Sequence, residues 1–330
     1  MEENEKVKTK KIKRICIFLI YEIVIIVITV PILTFYGPFN NIKRTIVGTA
    51  MFTMRHQRIA TTFMSKKDID EILKSKDTIA LNESENIQDI DLKRKKDNTI
   101  EKYEVHGKRF DGYILEIKDK ERLRVGITKY KNKRGQRTSE IAKQNGGIAA
   151  INGGGFTDVS SSGKEFIGTG AVPEGIVISN GEVVFSSIDY DEKTEVAAFT
   201  KEGALIVGSH SVNELKKLDV REAVSFNRTL IMNGKGLIQD DGGQGIQPRT
   251  AIAQKKDGTV LMLVVDGRQG FKQGASLREV QDLLLKMGAW NAANLDGGSS
   301  STMYYNGKIV NRPSDKEGER TVATVMYVKE

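Results

Sequence analysis

The chain has 330 residues, of which 39% are hydrophobic and 28% are charged, with 32 glycines, 5 prolines and 1 cysteine. This composition fits a folded, loop-rich protein, and the single cysteine excludes a disulfide framework. The net charge is +8, but the basic residues are spread along the chain rather than clustered. We therefore expect an anionic cell-envelope polymer or lipid surface nearby, and no nucleic acid.

A basic segment and an apolar segment open the chain. Residues 15–36 are nearly all apolar, and a helix of this length crosses a bilayer core of ~30 Å. Lysine and arginine are denser before this segment than after it, so we expect 1–14 to be a cytoplasmic tail and 15–36 an uncleaved transmembrane signal anchor. Residues 37–330 would then lie outside the cell membrane. A cleaved signal peptide is the alternative, but no small-residue cleavage site follows.

The rest of the chain is predicted to form a stalk and one folded domain. Residues 37–102 are predicted to be a stalk or linker with one short helix at 68–73, and residues 103–330 the domain. Because Cys16 lies within the predicted span, the external part folds without disulfides. That property favours a bacterial cell exterior over an animal ectodomain.

The most informative stretch runs from residue 259 to residue 303. An apolar strand, Val260–Val265, ends at Asp266, and a second apolar run ends at Asp296. Between them Ser276 and Glu279 predict a capping box, followed by apolar residues at helical spacing. We therefore predict an α+β fold with a mixed β-sheet core, a βαβ unit near the C-terminus and one preceding transmembrane helix.

Two strands joined by one crossover helix are expected to run parallel, so Asp266 and Asp296 should emerge at the same edge of the sheet. The glycines beside each aspartate predict main-chain N–H groups that can hold a phosphate. Together these features indicate acid–base chemistry on a phosphate-bearing or sugar-bearing substrate. The alternative is structural, since Asp-Gly is also the commonest turn dipeptide.

Three further segments carry candidate site residues. Asn152, Gly153 and Gly154 follow an apolar strand and are expected either to approach a sugar closely or to form a glycine-rich bulge. Glu174 is another candidate acid, although exposure at a strand edge explains it equally well. Arg249 precedes a buried strand and is expected to bind phosphate or to form a structural salt bridge. Residues 113–117 and 123–127 alternate like a pair of hairpin strands.

Five short motifs occur in a fixed order: Asn152 with three glycines and Phe156, Pro-Arg at 248–249, Asp-Gly-Arg at 266–268, Asn-Leu-Asp-Gly-Gly-Ser-Ser-Ser at 294–301, and Asn-Arg-Pro at 311–313. In these motifs and their order, residues 103–328 resemble the phosphodiester glycosidase family. The chain departs from the usual pattern at Ala253 and at Ser299, where relatives often have glycine.

The resemblance implies a hydrolase that cleaves a sugar-1-phosphate diester, which we expect to act in cell-envelope or exopolysaccharide metabolism. Our own hypothesis is that Asp296 and one partner, Glu174 or Asp266, carry out catalysis. We expect no required cofactor, and a divalent cation is an option that no ligand spacing demands. The expected substrate-binding residues are Asn152, Gly153, Gly154, Arg249, Arg268, Gly297, Gly298, Ser299, Ser300 and Asn311. The alternative is a non-catalytic glycan-binding or teichoic-acid-binding envelope protein.

Overall fold

The computed structural model describes residues 2–51, 57–73, 85–93, 97–157 and 170–330. The chain divides into two compact units, Met1–Ser75 and Lys76–Glu330.

The first unit is helical in its described residues. Its helices are α1 (Glu2–Tyr36), α2 (Asn40–Met51), α3 (Gln57–Thr61) and α4 (Lys66–Leu73). Within α1, Lys10–Tyr36 is long and apolar enough to cross a membrane, which is compatible with a signal anchor or a single span. The short helix expected at 68–73 is confirmed by α4. A small apolar cluster joins the helices: Phe35, Val47, Ala50, Ala60 and Ile69.

The second unit is built mainly of strands. In the described residues these are β1 (Ile100–His106), β2 (Asp111–Ile117), β3 (Leu123–Ile127), β4 (Gln136–Arg137), β5 (Gly147–Asn152), β6 (Phe156–Thr157), β7 (Val172–Pro173), β8 (Ile176–Ser179), β9 (Glu182–Ser186), β10 (Thr194–Thr200), β11 (Leu205–His210), β12 (Val220–Ser225), β13 (Thr229–Met232), β14 (Lys235–Gly236), β15 (Arg249–Lys255), β16 (Val260–Val265), β17 (Ala289–Leu295), β18 (Met303–Tyr305), β19 (Lys308–Ile309), β20 (Thr321–Val322) and β21 (Thr324–Lys329).

Three sheets surround one apolar core in the described part of this unit. Sheet A has the order β1-β2-β16-β15-β17-β13-β14, sheet B the order β11-β10-β12-β8-β9, and sheet C the order β19-β18-β5-β21-β3. Each sheet contributes fully buried side chains to the shared core, among them Met262 from sheet A, Phe199 from sheet B and Ile151 from sheet C. Burial of these side chains is the main favourable contribution to folding.

Short helices cover the outer faces of the sheets. They are α5 (Thr138–Gln144), α6 (Val212–Lys217) and α7 (Leu277–Lys286). The predicted capping box of α7 is present, because Glu279 N–H donates to Ser276 Oγ at 3.2 Å and Ser276 N–H donates to Glu279 Oε2 at 2.8 Å. Leu277, Val280 and Leu284 then pack against the outer face of sheet A.

The strand–helix–strand unit β16-α7-β17 has the expected direction but not a parallel pairing. Strand β15 lies between the other two strands and pairs antiparallel with both, so β16 and β17 run the same way without touching. Every strand pair among the described residues is antiparallel. Asp266 and Asp296 still follow strands that end at the same edge of sheet A.

Two expectations about the start of the folded domain are wrong. Strands β2 and β3 do not form a hairpin, because β2 pairs with β1 and β16 in sheet A whereas β3 pairs with β21 in sheet C. Residues 85–93, placed in the stalk, pack on the second unit: Glu85 Oε1 accepts from the Val207 N–H, and Asp91 N–H donates to the Lys256 carbonyl. The folded unit therefore begins before residue 103.

Candidate active site

The loops after β5, β16 and β17 meet at one edge of the second unit. Asp296 N–H donates to the Gly153 carbonyl at 3.1 Å, and Gly298 N–H donates to the Pro248 carbonyl at 2.9 Å. Arg268, in the loop after β16, lies against Gly298, because a Cβ atom there would be 3.1 Å from the arginine Nη2. Motifs that are far apart in the sequence are therefore neighbours in the fold.

Asp296 is the most perturbed carboxylate of this edge. It is half-buried, and loss of solvent around the carboxylate raises its pKa to about 6. The Ser300 hydroxyl, the positive charge of Arg320 and the Gly297 N–H act in the opposite direction, and the negative charge of Glu174 raises the pKa further. Near neutral pH this carboxylate can both accept a proton and return it.

Glu174 is a second carboxylate at this edge, and its charge contributes to the raised pKa of Asp296. Its main-chain N–H donates to the Gly155 carbonyl at 2.9 Å, and a Cβ atom on Gly155 would lie 3.1 Å from Glu174 Oε2. Although the residue as a whole is exposed, partial burial of its carboxyl group raises its pKa above the ordinary value. Glycoside hydrolysis uses two carboxyl groups, and the charge of Glu174 is the last of the effects that act on the pKa of Asp296.

Two arginines flank the acid pair. Burial, then the positive charge of Arg320, lowers the pKa of Arg268, and the charge of Asp296 raises it. Arg320 Nη1 donates to Ser299 Oγ at 3.4 Å, and its guanidinium carbon lies 4.9 Å from the centre of the Phe156 ring. Two guanidinium groups this near to each other attract an anion, and their planar donor sets suit a phosphate.

The expected main-chain nest after Asp296 is mostly occupied. The N–H groups of Gly298, Ser300 and Ser301 donate to carbonyls of the protein itself, in a turn at Gly298–Ser300. Glycine is favoured at position 298 for another reason, since its φ is +61° and a Cβ atom would lie only 3.1 Å from Arg268 Nη2. Three of the main-chain N–H groups that were expected to hold a phosphate are therefore engaged by the protein itself.

Arg249 is buried inside the protein and all its described hydrogen bonds are to the protein. The side chain is buried, with Nε donating to the Ala275 carbonyl at 3.1 Å and Nη1 donating to Gln244 Oε1 at 2.9 Å. Nη2 donates to the Gly245 carbonyl at 2.7 Å, and burial lowers the pKa of this guanidinium to about 9. The residue holds the loop before β15 together, so its expected contact with phosphate is replaced by contacts with the protein.

The two candidate asparagines are also buried and fully engaged. Asn152 Nδ2 donates to the Asp296 carbonyl at 2.5 Å, while its Oδ1 accepts from Thr250 Oγ1 and from the Thr302 N–H. Asn311 Nδ2 donates to Asp266 Oδ1 at 2.8 Å and its Oδ1 accepts from the Met303 N–H. These amides position the loops of the site instead of facing a ligand.

Asp266 has a different environment from Asp296. It is 4% exposed, and both carboxylate oxygens accept from the Arg312 N–H, at 3.1 and 2.9 Å. Burial raises its pKa, whereas the hydrogen bonds from Asn311 and Arg312 lower it. Because its oxygens are used to hold the Asn-Arg-Pro loop, Glu174 rather than Asp266 is the acid placed to cooperate with Asp296.

Gly153 and Gly154 allow a close approach between sheets rather than contact with a ligand. A Cβ atom on Gly153 would lie 2.6 Å from Thr324 Oγ1, and one on Gly154 would lie 2.5 Å from the Ser225 carbonyl oxygen. In the described ranges, no group of three or more His, Cys, Asp or Glu side chains is placed to hold a metal ion. The need for a cofactor or cation stays a prediction.

Comparison with known proteins decides the family. The phosphodiester glycosidase family pattern matches residues 145–329, which is more than half of the chain. The chain belongs to the phosphodiester glycosidase family. The match contains every candidate described above, including Asn152, Glu174 and Asp296.

Similar proteins from vertebrates share this family. N-acetylglucosamine-1-phosphodiester alpha-N-acetylglucosaminidase of Bos taurus is 27% identical over 226 residues, which cover 60% of this chain and 40% of the relative. The enzyme of the same name from Homo sapiens is 38% identical over 91 residues, covering 26% of this chain and 18% of the relative. The chain thus spans less than half the length of the curated relatives it matches.

A solved structure shares the family fold. The catalytic domain of the zebrafish enzyme of this name, auto-inhibited by its pro-peptide, superimposes with a TM-score of 0.60 at 21% identity. The superposition covers 73% of this chain and 86% of that domain. The likeness shows that the three-sheet architecture is the fold of the family.

Sequence patterns did not predict two side chains that lie at this edge, Arg320 and Phe156. Arg320 lies in a charged loop with no local pattern to distinguish it from its neighbours, and it reaches Ser299 because β20 pairs with β4. Phe156 belongs to the first of the five short motifs, but no role was predicted for it. Only pairing between distant strands brings these residues to the site.

Proposed function

We propose that this chain hydrolyses a phosphodiester in which the phosphate is bonded to the anomeric carbon of a sugar. The observation that carries the proposal is the half-buried carboxylate of Asp296 in the loop whose Gly298 and Ser299 contact Arg268 and Arg320. Membership of the phosphodiester glycosidase family supports the same reaction. The sugar sits against the acids, and its phosphate sits against the arginines.

The reaction breaks the bond between the anomeric carbon and the phosphate oxygen. The bonding electrons leave with the oxygen, and the product is a phosphate monoester whose charge Arg268 and Arg320 stabilise. Water supplies the new oxygen on the anomeric carbon, and its proton passes to Asp296. Phosphate is a good leaving group, so departure requires little protonation, and Glu174 chiefly tunes the pKa of Asp296.

The test is release of free sugar by the full-length chain in detergent from a panel of sugar-1-phosphate methyl diesters. Asp296→Asn should reduce the rate about a hundredfold or more, and Glu174→Gln should reduce it less. The matched control is Asp282→Asn, an exposed acid on α7 that pairs with Arg278. Binding of envelope polymer without any sugar release by the unaltered chain would instead make it a glycan-binding protein.

We further propose that the second unit lies outside the cell membrane and acts on phosphate-linked sugars of the cell envelope or an exopolysaccharide. The basic residues before the apolar part of α1 support a cytoplasmic N-terminus. Protease added to intact cells should then remove the second unit and leave residues 1–14 protected. Protection of the second unit until the cells are lysed would reverse the orientation.

A further inference from the structure

The helical unit contains a cavity at the end of its apolar helix. The cavity has a volume of about 650 Å³, and its described lining includes Phe35 and Tyr36 from the last turn of α1, Lys43 and Arg44 from α2, and Asp68 and Glu71 from α4. Tyr36 is also the last residue of the segment that is long and apolar enough to cross a membrane. With α1 in a bilayer, the cavity therefore lies at the level of the lipid headgroups.

Local contacts hold the wall of the cavity that is nearest to the apolar helix. The Gly37 N–H donates to the Leu33 carbonyl at 3.1 Å, and a side chain at position 37 would collide with that carbonyl oxygen. Glycine therefore lets the chain turn directly from α1 towards α2. The rings of Phe35 and Phe63 stack with their centres 4.8 Å apart, and the Tyr36 hydroxyl donates to the Phe63 carbonyl. The end of α1 and the segment after α3 thus form one aromatic wall.

Large apolar side chains are exposed in the segments that follow α1. Phe39 is 50% exposed, Ile42 is 51% exposed and Ile59 is 47% exposed. They lie in a unit that already buries an apolar cluster between its helices. Exposed apolar residues directly after a helix of membrane length favour contact with lipid over contact with water.

Side chains of both charges line the same cavity. Lys43 and Arg44 supply the basic groups, which suit a phosphate. Asp68 and Glu71 supply exposed carboxylates, which suit an ammonium group. Ser65 fixes the start of α4, because its hydroxyl donates to Asp68 Oδ2 at 2.6 Å and accepts from the Asp68 N–H at 3.2 Å. The lining therefore matches an amphiphile that carries a phosphate and an amine.

We propose that this cavity binds the headgroup of a zwitterionic phospholipid with a primary amine. Lys43 and Arg44 hold the phosphate, Asp68 and Glu71 hold the ammonium, and the aromatic wall lies beside the glycerol and the acyl chains. The bound lipid comes from the leaflet in which α1 ends, and it fixes the helical unit on the bilayer surface. The site depends on α1 crossing a membrane and is independent of the proposed hydrolysis.

A headgroup with negative charge alone suits the cavity less well. The carboxylates of Asp68 and Glu71 would repel it, and no group of the ligand would compensate their charge. A headgroup with a quaternary amine also fits less well, because it has no N–H group to donate to a carboxylate. The pairing of a phosphate with a primary amine satisfies both sides of the cavity.

The experiment measures retention of phospholipid by the full-length chain in detergent, with native mass spectrometry as the readout. The probes are phosphatidylethanolamine, phosphatidylcholine and phosphatidylglycerol with identical acyl chains. Phosphatidylethanolamine should bind roughly tenfold more tightly than the other two. Lys43→Gln should weaken its binding roughly 5- to 10-fold. The matched control is Lys66→Gln, since Lys66 is an exposed lysine of α4 outside the described lining of the cavity.

A second variant tests the assignment of the amine. Glu71→Gln should weaken binding of phosphatidylethanolamine and strengthen binding of phosphatidylglycerol, a reversal that loss of folding would not produce. Equal retention of the three lipids, or equal effects of Lys43→Gln and Lys66→Gln, would overturn the site. Release of sugar from a sugar-1-phosphate diester in detergent should be unchanged in Lys43→Gln, so failure of the reaction and failure of the lipid site are observed separately.

Discussion

The side-chain amide of Asn152 donates a hydrogen bond of 2.5 Å to the main-chain carbonyl of Asp296. Its oxygen at the same time accepts from the Thr250 hydroxyl at 2.8 Å and from the Thr302 N–H at 3.1 Å. One fully buried amide therefore ties together the ends of three strands. The position of Asp296 therefore depends on Asn152, although the Asn152 side chain is itself buried.

Replacing Asn152 should reduce both stability and activity. Asn152→Ala leaves the Thr302 N–H and the Asp296 carbonyl without partners, and each unmet buried group costs about 1–3 kcal/mol. Denaturant unfolding should show this loss, and kcat should fall with little change in KM. Asn152→Asp keeps the acceptor and loses the donor, so it separates the contact with Asp296 from the other two. An unchanged kcat in both variants would contradict the positioning role.

Activity should fall at acidic pH through protonation of Asp296. Its pKa is raised to about 6, and the reaction needs the carboxylate form, so kcat/KM should fall as the pH drops below about 6. Glu174→Gln removes a negative charge that raises this pKa, and the acid limb should move to lower pH. A pH profile of both proteins measures the shift. An acid limb that stays in place in Glu174→Gln would show that the two acids are not coupled.

The raised pKa of Asp296 also predicts that the folded protein loses stability as the pH rises. In the unfolded chain Asp296 has an ordinary value of 3.8, so between about pH 4 and pH 6 the folded protein binds more protons and loses stability as the pH rises. Asp296→Asn avoids this loss. Its melting temperature should exceed that of the unaltered chain by a few degrees at pH 7.5, with the difference much smaller at pH 4. A lower melting temperature at pH 7.5 would contradict the burial argument.

The two arginines should control affinity for phosphate. Arg268→Gln and Arg320→Gln each remove a charge-assisted contact, so inhibition by inorganic phosphate should weaken by about tenfold or more. Arg278→Gln provides the control, because that exposed side chain on α7 pairs with Asp282. Equal inhibition of all three variants would place the phosphate elsewhere.

Asp266 should behave as a structural acid. Asp266→Asn weakens the contacts with Asn311 and the Arg312 N–H, so the main effect should be a lower unfolding free energy, by about 1–3 kcal/mol. The acid limb of kcat/KM should keep its position. Loss of activity as large as in Asp296→Asn, with stability unchanged, would return Asp266 to a catalytic role.

Local structure was predictable wherever a short pattern decides it. The capping box of α7 and the apolar strand β16 depend on a few adjacent residues. The common direction of β16 and β17 follows from their connection by one helix. The location of Asp266 and Asp296 at one edge could thus be predicted.

Contacts between distant segments were not predictable in this way. No residue pattern in β15 indicates that this strand lies between β16 and β17. The alternating patterns of β2 and β3 are likewise compatible with pairing to any neighbouring strand. Arg249 was expected to bind phosphate or to form a structural salt bridge, but its buried guanidinium donates to carbonyls of its own loop. Arg320 was not predicted, because its role depends on a contact with Ser299, which is distant in the sequence.

Hydrolysis in water labelled with oxygen-18 tests the central claim most directly. If water attacks the anomeric carbon while Asp296 takes its proton, the label should appear in the released sugar and not in the phosphate monoester. Asp296→Asn should slow the formation of labelled sugar about a hundredfold or more. Label found in the phosphate would mean that the phosphorus–oxygen bond breaks, and it would contradict the role assigned to Asp296 and Glu174.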